Sequence, residues 1–93
     1  MQFSETEIEQ IITRKIVELT YKKVSSIDEE LIDSRILNSI TLVELAVELE
    51  KELAINISFM EINNDNFKSV STIKNLIVKK WNALISITKN KLR

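Results

Sequence analysis

The chain has no glycine and no proline in 93 residues. Tight hairpins want a residue that accepts positive φ, most often glycine in an Asn-Gly pair. A chain without either residue suits helices joined by few sharp turns. Cysteine and histidine are also absent. That removes disulfides, thiolate nucleophiles and Cys-based zinc sites. It removes the usual general base near neutral pH as well. Without glycine, a Gly-rich phosphate-cradling loop cannot be built. Carboxylates, Lys and Tyr remain, but most routes to catalysis are closed.

Hydrophobic spacing places the helices. Ser4-Glu5-Thr6-Glu7 fits a capping box. Ile8, Ile11, Ile12, Ile16 and Leu19 then recur at three and four residues, one face of an amphipathic helix. This helix should fade near Tyr21-Lys22-Lys23, where two lysines suit the negative end of its dipole. Residues 24–38 keep no helical period. They read as a long loop that tucks apolar side chains such as Leu31, Ile36 and Leu37 onto the core. Loops of this length in small domains are often functional.

A second helix is predicted over Ser39–Leu53. Asn38, Ser39 and Thr41 are all good N-cap types, and Thr41-Leu42-Val43-Glu44 is itself a possible capping box. Leu42, Leu45, Ala46, Leu49 and Leu53 share a core face. Ile40, Val43 and Val47 form a second apolar stripe roughly opposite, with Glu44 and Glu48 on one flank and Glu50 on the other. A surface helix of a small domain does not need two apolar faces. Residues 55–59 alternate as a strand would, but a helical turn at Phe59–Ile62 is preferred because no partner strand is evident. The last helix starts near Ser69 and carries Val70, Ile73, Ile77, Trp81, Leu84 and Ile85 at helical spacing. The fold class expected is all-α, a small four-helix bundle of three long helices and one short one with a long first loop. One domain, 1–88, is followed by a basic tail, 89–93.

Composition fits a single soluble globular domain, 44% apolar and 29% charged. At this size folding buries only about 60–65% of the unfolded surface. No apolar run approaches the ~20 residues of a membrane span. Met1-Gln2-Phe3-Ser4-Glu5 is too acidic and polar for a secretory signal, so a cytoplasmic location is expected. Net charge is −1 but segregated: residues 24–65 carry net −8 and residues 66–93 carry net +7. An acidic surface favours encounter with basic partners. The basic end lacks the aromatic interleaving of a single-strand binder, so no nucleic-acid partner is expected.

The segment Leu31-Ile32-Asp33-Ser34 and Ile36-Leu37, then Asn38-Ser39-Ile40, Val43-Glu44-Leu45 and Glu48-Leu49-Glu50, resembles the acyl and peptidyl carrier protein family. Asn66-Phe67-Lys68-Ser69-Val70 and Ile73 resemble the approach to that family's last helix, so the likeness spans roughly residues 5–85. The resemblance implies a freestanding carrier and no enzyme. It implies that Ser39 receives 4'-phosphopantetheine from coenzyme A and holds an acyl or aminoacyl group as a thioester. Ile40, Val43, Glu44, Val47 and Glu48 would then be the docking surface. The implied partners are a phosphopantetheinyl transferase, an adenylating or other acyl-loading enzyme, and acyl-transfer or condensing enzymes. A monomer is expected.

The sequence departs from the family where Asn38 replaces the usual Asp, Ile40 the usual Leu, and Arg35 a frequent Gly. Asn38 and Arg35 make the site less acidic. The Leu31-Ile32-Asp33-Ser34 approach and the lack of extreme acidity look more like carriers of secondary metabolism or D-alanyl transfer than fatty-acid carriers. The alternative is a helical interaction module that carries nothing, in which Ser39 serves only as a helix cap.

Overall fold

The computed structural model describes residues 3–91, with side chains through Leu84. It holds α1 (Glu5–Thr20), α2 (Ser39–Leu53), a one-turn 3-10 helix (Phe59–Glu61) and α3 (Val70–Lys91). The expected small all-α bundle is present, and its short fourth element is a single turn. α1 packs against both α2 and α3. Most completely buried side chains are periodic helical ones: Ile8, Ile12 and Ile16 share one core with Leu45, Leu49, Ile73 and Ile77. Among the described residues no helix is long and apolar enough to cross a membrane.

Each helix starts as its local sequence dictates. Ser4 Oγ accepts the Glu7 N–H, and the Glu7 carboxylate accepts the Ser4 N–H. At α3, Ser69 and Thr72 do the same for each other. Between α2 and the 3-10 turn, Ile55 and Ile57 are buried while Asn56 and Ser58 are exposed. The alternation that suggested a strand is real, but among the described residues the segment pairs with no other strand. Glu50 holds it instead: its carboxylate accepts the Ile57 N–H at 2.8 Å. That interaction satisfies a backbone donor that a sheet would otherwise have taken.

The long first connection is fastened to the start of α3. Leu31 N–H donates to the Lys68 carbonyl at 2.8 Å, and Ser71 N–H to the Ile27 carbonyl at 2.9 Å. Leu31, Ile36 and Leu37 are buried, as expected of a loop that feeds the core. Ile27 stays exposed, because its part in the contact with α3 is made by its backbone.

Several expectations need correction. Lys22 and Lys23 lie beyond α1, whose last turn has no basic residue. Lys22 Nζ donates to the Arg35 carbonyl at 2.7 Å. Leu84 keeps helical spacing but is half-exposed, so the core stripe of α3 ends before it. The side chain of Ile85 and the expected tail, 89–93, lie outside the described side chains. Phe67 is completely buried although it belongs to no helix, and Leu76 adds a buried side chain between Ile73 and Ile77. Trp81 is half-buried and stacks on Phe3, with ring centroids 5.8 Å apart.

The absence of glycine did not mean the absence of left-handed turns. Tyr21, Arg35 and Ala54 all have positive φ, at 57°, 64° and 53°. Tyr21 and Ala54 close α1 and α2, where a left-handed residue lets the chain turn away while the last carbonyls are satisfied.

Candidate functional site

Asn38 starts α2 in extended backbone, and its Oδ1 accepts the N–H groups of Ile40 and Thr41, both at 2.9 Å. Thr41 Oγ1 accepts the Asn38 N–H at 2.8 Å. The cap is therefore Asn38, and Thr41 is its third-position partner rather than a cap of its own. Ser39 lies between them as the first helical residue, exposed and outside the capping bonds. The reading of Ser39 as a mere N-cap fails for that reason. Buried Ile36 and Leu37 pin the approaching chain, and Leu37 N–H donates to the Leu31 carbonyl. A fixed loop end and a capped helix start thus present one hydroxyl to solvent.

An anion attached to Ser39 would sit at the positive end of the α2 dipole, a setting worth about 0.3–1 kcal/mol at an exposed site. Asn38 already occupies two of the N–H groups at the start of α2. The dipole, not a ring of open donors, is what this site supplies. Nothing crowds an attached group: Ser39 and Ile40 are both exposed. Among the described residues no group of three or more acids comes together to hold a metal ion.

The second stripe of α2 faces solvent. Ile40, Val43 and Val47 are 71%, 43% and 40% exposed. Glu44 is exposed beside them. The other acids of α2 have partners within the fold. Glu48 lies 3.7 Å from Lys15 of α1 and 3.6 Å from Lys51. Glu52 meets both Arg14 and Lys15, at 3.2 and 3.3 Å. Glu50 is bound to the Ile57 N–H, so it braces the exit from α2 rather than forming an open flank. On the approach side, Arg35 takes its left-handed conformation where the family resemblance places glycine. Its side chain is exposed, and Lys22 caps its carbonyl.

The family description "Phosphopantetheine attachment site" matches residues 10–77. That stretch runs from the middle of α1 to the middle of α3 and holds the whole Ser39 region.

The chain belongs to this phosphopantetheine-binding family.

A search of curated proteins finds no match. Members of the family carry covalent 4'-phosphopantetheine, whose thiol holds cargo as a thioester, and they are not catalysts themselves. They are modified by phosphopantetheinyl transferases and serve biosynthetic enzymes. The exposed first turn of α2 fits such a group, having a reachable hydroxyl, room around it and a favourable dipole.

The exposure of two residues was not read from the sequence. Phe59 and Met60, in the 3-10 turn, are 83% and 85% exposed. Their turn is held by Glu61, which accepts the Ser58 N–H and pairs with Lys80 of α3 at 2.6 Å. The Ser58…Glu61 spacing signals the capped turn itself.

Proposed function

We propose that Ser39 is the residue that receives phosphopantetheine, and that Ile40, Val43 and Val47, flanked by Glu44 and Glu48, are where partner enzymes dock. The single observation that carries this is the exposed Ser39 hydroxyl standing outside a complete Asn38–Thr41 cap. A serine needed for the cap would be held by the helix; this one is left for a foreign active site. The transferase brings the metal and the base, so the lack of histidine costs this chain nothing. The Ser39 oxygen forms a bond to phosphorus, its proton goes to the transferase, and the nucleotide half of coenzyme A leaves. Tethering then raises the effective concentration of cargo at each partner.

The cargo we assign is an acyl or aminoacyl group of secondary-metabolite or aminoacyl-transfer biosynthesis, loaded by an adenylating or acyl-transferring enzyme. Support comes from the Leu31-Ile32-Asp33-Ser34 approach and from the lack of extreme acidity, the net charge being only −1.

The test is incubation with coenzyme A and a broad-range phosphopantetheinyl transferase, read by intact mass. Wild type should gain one phosphopantetheine and Ser39→Ala none. A wild-type mass unchanged by several transferases, or a modified Ser39→Ala, removes the assignment.

A further inference from the structure

Shortly before Ser39 the chain passes through a left-handed turn at a residue that carries a Cβ. Arg35 has φ 64°, at the position where the family resemblance places glycine. Glycine takes that region freely, whereas any other L-residue there crowds its Cβ against the backbone. Such a conformation persists only where its surroundings hold it. Part of the hold is local. Ser34 N–H donates to the Glu30 carbonyl, Arg35 N–H to the Ile32 carbonyl and Leu37 N–H to the Leu31 carbonyl, at 3.0, 3.0 and 2.9 Å. The Arg35 carbonyl is held from outside the loop's own turn: Lys22 Nζ donates to it at 2.7 Å.

Lys22 is itself fixed in place. Tyr21 turns the chain out of α1 in the left-handed region. Thr20 Oγ1 accepts the Lys22 N–H at 3.1 Å and donates to the Ile16 carbonyl at 2.8 Å. A lysine rooted at the end of one core helix therefore reaches the crowded turn that leads into another. After Arg35 come buried Ile36 and Leu37, then the cap Asn38, then Ser39. The setting of the Arg35 carbonyl thus fixes the direction in which the chain enters that cap.

Resting on the carrier reading above, we infer that Lys22 is a positioning residue for phosphopantetheine transfer: its ammonium clamps the left-handed Arg35 turn and so holds the approach to Ser39 in the geometry a transferase accepts. The clamp is a charge-assisted hydrogen bond, stronger than a neutral one. Without it the turn populates other conformations. The fraction of chains that present Ser39 correctly then falls, and the apparent affinity for the transferase falls by the same factor. A chain that has bound productively reacts as before, so the loss belongs in KM and not in kcat.

The experiment measures kcat and KM for transfer to the full chain, with coenzyme A and a broad-range transferase as the probe. Lys22→Met is made in the wild-type, Arg35→Ala and Arg35→Gly backgrounds, each checked for native helicity. In wild type it should raise KM about threefold to tenfold, the scale of one exposed charge-assisted hydrogen bond, and leave kcat within about twofold. Arg35→Ala removes the guanidinium but keeps the Cβ, so the KM loss should persist. Arg35→Gly removes the crowding, so the loss should shrink to less than about twofold. Amide hydrogen exchange of the unmodified protein reads the clamp without the transferase. Lys22→Met should speed exchange of the Arg35 and Leu37 N–H groups and leave Ile12 in α1 unchanged.

An equal KM loss in the glycine background means that the transferase touches Lys22 itself, and overturns the inference. A loss that disappears in the alanine background overturns it too, since the guanidinium and not the Cβ would then be responsible. So does an unchanged KM in wild type, or unchanged exchange at Arg35 and Leu37. Each of these results leaves the carrier reading intact. No transfer to wild type by several transferases removes that reading and the positioning role with it.

Discussion

Asn38 and Thr41 cap α2 for each other, with Asn38 Oδ1 on the Thr41 N–H at 2.9 Å and Thr41 Oγ1 on the Asn38 N–H at 2.8 Å. Ser39 sits between them and takes no part. The helix start is therefore stable without the serine, and the serine can be spent on chemistry.

That separation can be measured. Asn38→Ala should cost about 1 kcal/mol, the usual loss for an N-cap side chain. Ser39→Ala should stay within about 0.5 kcal/mol of wild type, as surface changes away from caps do. Urea denaturation of the unmodified protein reads both. A larger loss for Ser39→Ala than for Asn38→Ala would place the cap on Ser39 after all.

The two faces of α2 should respond oppositely. Leu45 is completely buried, so Leu45→Ala should cost about 2–5 kcal/mol. Val43 is 43% exposed, and Val43→Asp should leave the fold intact. Thermal unfolding followed by circular dichroism distinguishes them; an unfolded Val43→Asp would mean that the second stripe is covered.

The connection between α2 and α3 has its own contrast. Phe67 is completely buried and Phe59 is 83% exposed. Phe67→Ala should cost about 3–5 kcal/mol, most of the stability of a domain this small. Phe59→Ala should shift stability by no more than about 0.5 kcal/mol. Equal losses would contradict the placement of the 3-10 turn.

Ala54 closes α2 in the left-handed region, at φ 53°. A Cβ there is strained by about 1 kcal/mol relative to glycine, which adopts the conformation freely. Ala54→Gly should therefore stabilise the protein, by somewhat less than that, because glycine also loosens the unfolded chain. A lower denaturation midpoint for Ala54→Gly would be the contrary result.

Two ion pairs set a pH dependence with opposite limbs. The Lys80 hydrogen bond, and then the Ser58 N–H, hold the Glu61 carboxyl below its ordinary value of 4.5. The folded chain thus binds that proton less readily than the unfolded chain. Its contribution is present above about pH 4.5 and is lost as pH falls through the folded value. Lys74 is the reverse, raised above 10.5 by its hydrogen bond to Glu5. Its contribution is complete below about pH 10.5 and is lost as pH rises through the folded value. Glu61→Gln should flatten the acid limb of a urea-stability profile, and Lys74→Met the alkaline limb. Both sites are near the surface, so each effect should shrink with salt.

Much of the architecture was legible in residue spacing. Ile8, Ile11, Ile12 and Ile16, or Leu42, Leu45 and Leu49, repeat at three and four, and only one helical face can bury such a set. The bounds of α2, Ser39–Leu53, followed from a cap-rich start and an apolar period that stops at Leu53. Which of Asn38, Ser39 and Thr41 would cap the helix was not legible, because all three side chains can accept an N–H. Backbone direction entering the helix decides among them, and buried Ile36 and Leu37 set that direction. Phe67 carries no periodic signal, since it lies in a connection and is buried by the elements on either side.

By itself the sequence determined the helical class, the core faces and the attachment family, because these follow from local pattern and residue type. Charge was left to the tertiary structure. Along the chain, acids crowd the middle and bases the end. In the fold Glu30 meets Lys68, Glu61 meets Lys80, and Glu48 and Glu52 meet Lys15. The potential a partner meets depends on distances of a few ångströms, and only packing brings residues so remote in sequence that close.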